Sequence, residues 1–198
     1  MMSPMHGARA ARRMAVAACA LALAHAAPAE AKKKDKYYYE VHDVSLAKGI
    51  PDAISTAVAK QLAERIAANP TLLAQLEGAP DAEKAPKKFK RYLKRKHLRA
   101  FKVNVEVTAY SHEIEPMPAP RKGRYLTVSI DLHAFGETIP DRVMAFTGNG
   151  SATVKLEIGR KLRQRDSEAA NHDAIEMAID KALAESITKL RKGPKAKK

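Results

Sequence analysis

Cysteine, long apolar runs and recognisable catalytic signatures are what this 198-residue chain lacks. Its one cysteine, Cys19, falls within an N-terminal segment laid out like a secretory signal peptide. A basic Arg9/Arg12/Arg13 region comes first, then an apolar stretch from Met14 to Ala27, then the small-residue triplet Ala29-Glu30-Ala31. Cleavage after Ala31 leaves no cysteine, which excludes disulfide staples, cysteine nucleophiles and zinc-thiolate centres. The apolar stretch is shorter than the roughly 20 residues that cross a bilayer, so it reads as a leader and not as an anchor. Val16-Ala17-Ala18-Cys19 has the small-residue pattern that precedes a lipidated cysteine, but cleavage there leaves too short an apolar core after Arg13. Arg12-Arg13 fits a basic leader region better than a twin-arginine signal. The expectation is export to the periplasm or the medium, with no transmembrane span in the mature chain.

Chemistry is equally sparse. No Ser-His-Asp set with a nucleophile elbow is present, and there is no internal repeat at solenoid spacing. Gly148-Asn149-Gly150-Ser151 lacks the following lysine and the preceding parallel strand that make a phosphate-cradling loop work, so it reads as a backbone feature. Asp131 and His133 stand two apart on the outer face of a strand, and His112 leads into the loop before it. This trio is conceivable as a metal or acid-base cluster and defines the alternative reading, a metal-dependent hydrolase. Scattered imidazoles and carboxylates are usually surface groups. The primary expectation is therefore no catalytic residue, no metal and no cofactor.

What the chain does have is pattern. Tyr37 to His42 suits a strand. Pro51-Asp52 opens a helix whose apolar face is Ile50, Ile54, Ala57, Val58, Leu62 and Ile66, running to Asn69-Pro70. Thr71 to Leu76 reads as one further helical turn and Gly78-Ala79-Pro80 as a linker. Asp81 to Leu98 reads as a second helix carrying Phe89, Tyr92 and Leu93 on one side. Phe101, Val103, Val105, Val107 and Ala109 alternate with polar residues, as do Leu126, Val128, Ile130, Leu132 and Ala134. Between these two strands, Glu115 to Gly123 holds three prolines and reads as an exposed hairpin loop.

Asn149-Gly150 invites a two-residue hairpin, but parity argues against it. Met144, Phe146, Ala152, Val154, Leu156 and Ile158 are all even-numbered, and such a hairpin would turn half of them to solvent. One strand kinked or bulged at the glycines keeps them together; a three-residue loop is the other option. Asp166 to Leu190 is a long closing helix with a wide apolar stripe that includes Ala169, His172, Ile175, Met177 and Ile179. The expected fold class is α+β: an antiparallel sheet of about four strands, two long helices packed on it and an additional basic helix. Residues 1–31 are the leader, 32–190 one domain with 78–100 as a basic linker and helix insertion, and 191–198 a disordered basic tail.

The formal net charge of +14 points to polyanionic partners. Between Lys84 and Lys102 lie Lys87, Lys88, Lys90, Arg91, Lys94, Arg95, Lys96 and Arg99. With Phe89, Tyr92 and Leu93 as an anchor, this segment could rest on an anionic polymer, a lipid surface or an acidic envelope protein. The bland counterpart is a solvated face on a docked helix. Lys87, Lys88, Lys90, Arg91, Lys94, Arg95 and Arg99 are the candidate contact residues. Specific nucleic-acid binding is not expected, because no base-reading motif is present.

The strand-helix-strands-helix order, the Gly148-Asn149-Gly150-Ser151-Ala152-Thr153 strand and the alanine-rich last helix (Ala169-Ala170-Asn171 through Ala182-Leu183) resemble a group of exported bacterial envelope proteins. These have an anticodon-binding-domain-like fold and include penicillin-binding-protein activators and curli-secretion-channel relatives. The resemblance spans roughly Tyr37 to Leu190 and rests on pattern. It implies a non-enzymatic part in envelope assembly or complex formation, and it transfers no functional residue.

Overall fold

The computed structural model describes residues 36–121, 123–159 and 161–192. The expected leader with Cys19 and the Ala29-Glu30-Ala31 site lies outside them, as do residues 193–198 of the expected tail. The elements are β1 (Lys36–Leu46), α1 (Asp52–Ala68), β2 (Leu72–Leu73), α2 (Pro86–Lys96), β3 (Leu98–Pro116), β4 (Arg124–Thr138), β5 (Met144–Ile158) and α3 (Gln164–Lys192). They build one five-stranded sheet in the order β2-β1-β3-β4-β5.

The sheet is mixed, which corrects the expected antiparallel arrangement of about four strands. β1 runs parallel to both β2 and β3, whereas β3, β4 and β5 are antiparallel in turn. A parallel pair needs a long crossover, and the segment carrying α1, β2 and α2 supplies it between β1 and β3. The turn expected at Thr71 to Leu76 contains β2 instead, where Leu72 aligns with Tyr37. Leu72 is buried there.

Strand alternation divides the side chains between two faces. Tyr37, Tyr39, Phe101, Val103, Val105, Val107, Leu126, Val128, Ile130, Leu132 and Phe146 point to one side and meet the buried stripes of α1 and α3. Tyr38, Leu98 and Ala100 point to the other side and meet Phe89, Tyr92 and Leu93 of α2. The two long helices therefore share one face of the sheet, and α2 lies alone on the opposite, otherwise polar face.

Two bulges change what the alternation delivers. Thr108 is an extra residue opposite the Leu132–Asp131 step, and such an insertion exchanges the faces of everything beyond it. Ala109, expected in the core, is exposed. Tyr110 turns instead to α3, where its hydroxyl donates to Asn171 Oδ1 at 2.8 Å. A second bulge at Ala145 pairs Met144 with Glu137 rather than extending the Phe146 face. Met144, expected with the core residues, is consequently 56% exposed.

β5 continues without a register break through Gly148 and Gly150, so it is the one continuous strand expected from parity, without a hairpin or a bulge there. The glycines serve close packing. A Cβ on Gly150 would sit 1.9 Å from the Ala178 carbonyl oxygen, and one on Gly148 would sit 2.3 Å from that of Ala182. α3 meets them with Ala170, Ala174, Ala178, Ala182 and Ser186, small residues four apart that let the helix backbone approach the strand. His172, Met177 and Ala169, expected within the apolar stripe, are exposed on α3. The helix also extends through Arg191 and Lys192, which were expected to begin the tail.

Candidate contact surface

α2 is shorter than expected because Asp81 caps a separate turn ahead of it. The Asp81 carboxylate accepts the backbone N–H groups of Glu83 and Lys84 at 2.8 and 3.0 Å. Those two hydrogen bonds, with the Lys84 ammonium nearby, hold its carboxyl below the ordinary range. Pro86 then occupies the first helical turn, where its missing N–H costs nothing. The helix stops when His97 takes a left-handed conformation, φ 53°, and the chain passes directly into β3.

Phe89, Tyr92 and Leu93 are the residues α2 buries. The Tyr92 hydroxyl donates to the Glu77 carbonyl at 2.8 Å and ties the preceding loop to the helix. Spacings of three and four place Lys87, Lys90, Arg91 and Lys94 on a stripe opposite that anchor, flanked by Lys88 and Arg95. All six are exposed. Lys90 pairs with Asp141 at 2.6 Å. Among the described residues, the other five form no ion pair.

Arg99 does not belong to this stripe. It lies on β3 between Leu98 and Ala100, both of which face α2, so alternation sends its side chain through to the face occupied by α1 and α3. There its guanidinium sits 5.2 Å from the centre of the Phe101 ring and donates to the Leu190 carbonyl at 3.3 Å, near the end of α3. A cation at the negative end of a helix macrodipole is a structural element of the fold.

The rival trio is separated. Asp131 and His133 lie on the polar face, where Asp131 accepts the Ser151 hydroxyl and His133 packs 5.9 Å from the Phe135 ring. A shallow hollow of about 320 Å³ lies there between Thr108, Asp131, His133, Asn149 and Ser151. His112 is past the Thr108 bulge and therefore on the other face, sharing a 3.0 Å hydrogen bond with Ser167. One sheet thickness thus divides the residues that a three-ligand metal site would need together.

Two constellations escaped the sequence reading. His172, Asp173 and Glu176 bring their ligating atoms within 4.8 Å of one another on α3. Glu176, however, is engaged by Arg65 at 2.8 Å, and the same guanidinium holds Asp180, joining α1 to α3. A hollow of about 640 Å³ lies beside the N-terminal end of α2, where Glu40, Asp81 and Glu83 face Lys102 and Arg142. Its charges are of both signs, and Arg142 stands 3.7 Å from Glu83.

Among the described residues no helix is long and apolar enough to cross a membrane. No protein-family model and no curated protein sequence matches the chain. Solved structures of similar arrangement include a protein described as a neuraminyllactose-binding hemagglutinin homologue from Helicobacter pylori, at 12% identity and a TM-score of 0.45, covering 79% of this chain and 88% of that one. A protein described as a lipoprotein from Caulobacter crescentus follows at 11% identity and a TM-score of 0.42, covering 77% and 88%. The minor lipoprotein of Acinetobacter baumannii stands at 10% identity and 0.41, covering 82% and 97%. None of the three is described as a penicillin-binding-protein activator or a curli-channel relative, and likeness at this level assigns no function.

Proposed function

We propose that the protein is an exported, non-enzymatic binding module of the bacterial envelope whose contact surface is the outer face of α2. The observation that carries this reading is the state of its charges. Phe89, Tyr92 and Leu93 hold the helix down, while Lys87, Lys88, Arg91, Lys94 and Arg95 stand exposed without an acidic partner among the described residues. Five such cations on the outer side of an 11-residue helix make a strong local positive potential. The leader-like first 31 residues support export, and the parting of His112 from Asp131 and His133 speaks against the hydrolase.

Attraction of this kind weakens with salt, because ions screen exposed charges beyond about 10 Å at 0.1 M ionic strength. The test is retention on immobilised heparin against a salt gradient. The Lys87→Glu/Arg91→Glu/Lys94→Glu/Arg95→Glu protein is expected to stay folded by circular dichroism and to elute far earlier than the unaltered chain. Lys90 is left in place because it pairs with Asp141. Unchanged elution of the folded variant would reduce α2 to a solvated face.

A further inference from the structure

We infer that the partner of this surface is an anionic lipid bilayer, with Val143 and Met144 entering its interfacial layer beside the α2 cations. The inference rests on the reading of α2 as the contact surface and adds what the surface touches. Val143 is 60% exposed and Met144 56%, more than the other large apolar side chains found exposed, Ile114 and Met177. Val143 closes the β4–β5 turn, where it is hydrogen-bonded to Thr138, and Met144 opens β5. The Ala145 bulge pairs Met144 with Glu137, which faces the same side of the sheet as α2.

That turn is fastened to α2 and its approach. Asp141 holds Lys90 at 2.6 Å, Arg142 stands 3.7 Å from Glu83, and Ile139 packs into the cluster of Phe89, Tyr92 and Leu93. The turn that leads into the apolar pair is therefore tied to the basic helix. A soluble polyanion uses only the cations and gains nothing from two apolar side chains held in water. A bilayer rich in anionic headgroups uses both, as phosphates meet the lysines and arginines while Val143 and Met144 leave water at the acyl boundary. The long lysine and arginine stems suit such a boundary, since their methylenes can lie at the apolar level with the charge in the headgroups.

The probe is co-sedimentation of the full chain with vesicles of phosphatidylglycerol and phosphatidylcholine, with pure phosphatidylcholine vesicles and immobilised heparin run alongside. Binding is expected to the mixed vesicles and not to the neutral ones. Val143→Ser/Met144→Ser, at exposed positions, is expected to remain folded, to lose about tenfold in partitioning to the mixed vesicles and to keep its heparin elution. Val143→Trp should shift its emission to the blue with the mixed vesicles and not with soluble heparin. Heparin binding without vesicle binding, or vesicle binding and emission indifferent to these substitutions, would overturn the lipid assignment and leave the polyanion reading standing. Indifference of both ligands to the α2 charge reversal would remove that reading itself.

Discussion

α3 and α2 lie on opposite faces of one sheet and use their charges in opposite ways. α3 is 29 residues long and buries ten of them, from Ala170 to Leu190. Five of its charged side chains also work inward. Lys181 donates to the Ser151 carbonyl, Glu185 accepts the Asn149 N–H and Lys189 reaches the Thr147 hydroxyl, so they cover the outer edge of β5. An uncovered edge offers unpaired backbone groups to any passing strand. Asp180 and Glu176 take up Arg65 from α1. α2 is 11 residues long, buries three, and among the described residues pairs one of the six cations on its outer side, Lys90. The same residue types thus serve the fold in one helix and, among the described residues, stand mostly without an ion partner in the other, a distinction that net charge cannot make.

The sharpest way to break this contrast from the α3 side is Gly150→Ala. The added carbon has nowhere to go, because the obstacle 1.9 Å away is helix backbone and not a movable side chain. α3 must lift from β5, at an expected cost of about 3 kcal/mol, the upper part of the range for overpacking. Urea unfolding measures it. A loss below about 1 kcal/mol would mean that the helix does not lie against the strand as described.

A smaller effect concerns pH. Hydrogen bonds from Lys189 and from the Asn149 N–H hold the Glu185 carboxyl below its ordinary value of 4.5. A carboxylate with a lowered folded-state value stabilises the fold fully above its ordinary value and loses that contribution as pH falls through the lowered one. Glu185→Gln should therefore be less stable than the parent at pH 7, with the difference closing below pH 4. Solvent screens the pair, so the effect is modest. A gap that stays constant across this range would show that the β5 edge does not depend on the charge.

The smallest expected effect on stability is the most telling for α2. Reversing Lys87, Arg91, Lys94 and Arg95 to glutamate should shift the unfolding free energy by no more than about 0.5 kcal/mol, as for other exposed positions. An acid in the first turn suits the helix macrodipole while acids in the last turn oppose it, so the four changes partly offset one another. Loss of several kcal/mol would make these cations part of the fold after all.

Much of the architecture could be read from local pattern. The spacings of α1 and α3, the alternation of β3 and β4, a hairpin connection between them and the parity of β5 from Phe146 onward each follow from residues close in sequence, although Glu115 and Pro116, expected in an exposed loop, pair with Tyr125 and Arg124 and Met117 is buried. The parts that were not legible depend on distant neighbours or on single insertions. Nothing in Tyr37 to Leu46 says that its partner is β3 or that the pairing is parallel. β2 is two residues long and has no periodicity to detect. The bulges at Thr108 and Ala145 leave no local mark, yet they decide that Ala109 and Met144 are exposed and that His112 faces away from Asp131. Gly148 and Gly150 looked like a bend in the strand and turned out to admit the backbone of α3. On the candidate surface, six of the seven cations share one helix face, whereas Arg99 was swept in by adjacency although strand alternation sends it through the sheet.

If the α2 cations stand free for an anionic partner, binding must depend steeply on salt. The logarithm of heparin affinity should fall linearly with the logarithm of salt concentration, and replacing Lys87, Arg91, Lys94 and Arg95 by alanine should flatten that slope by about one unit per residue removed, as counterion release requires. A slope unchanged by the four replacements, in a protein that remains folded, would contradict the claim.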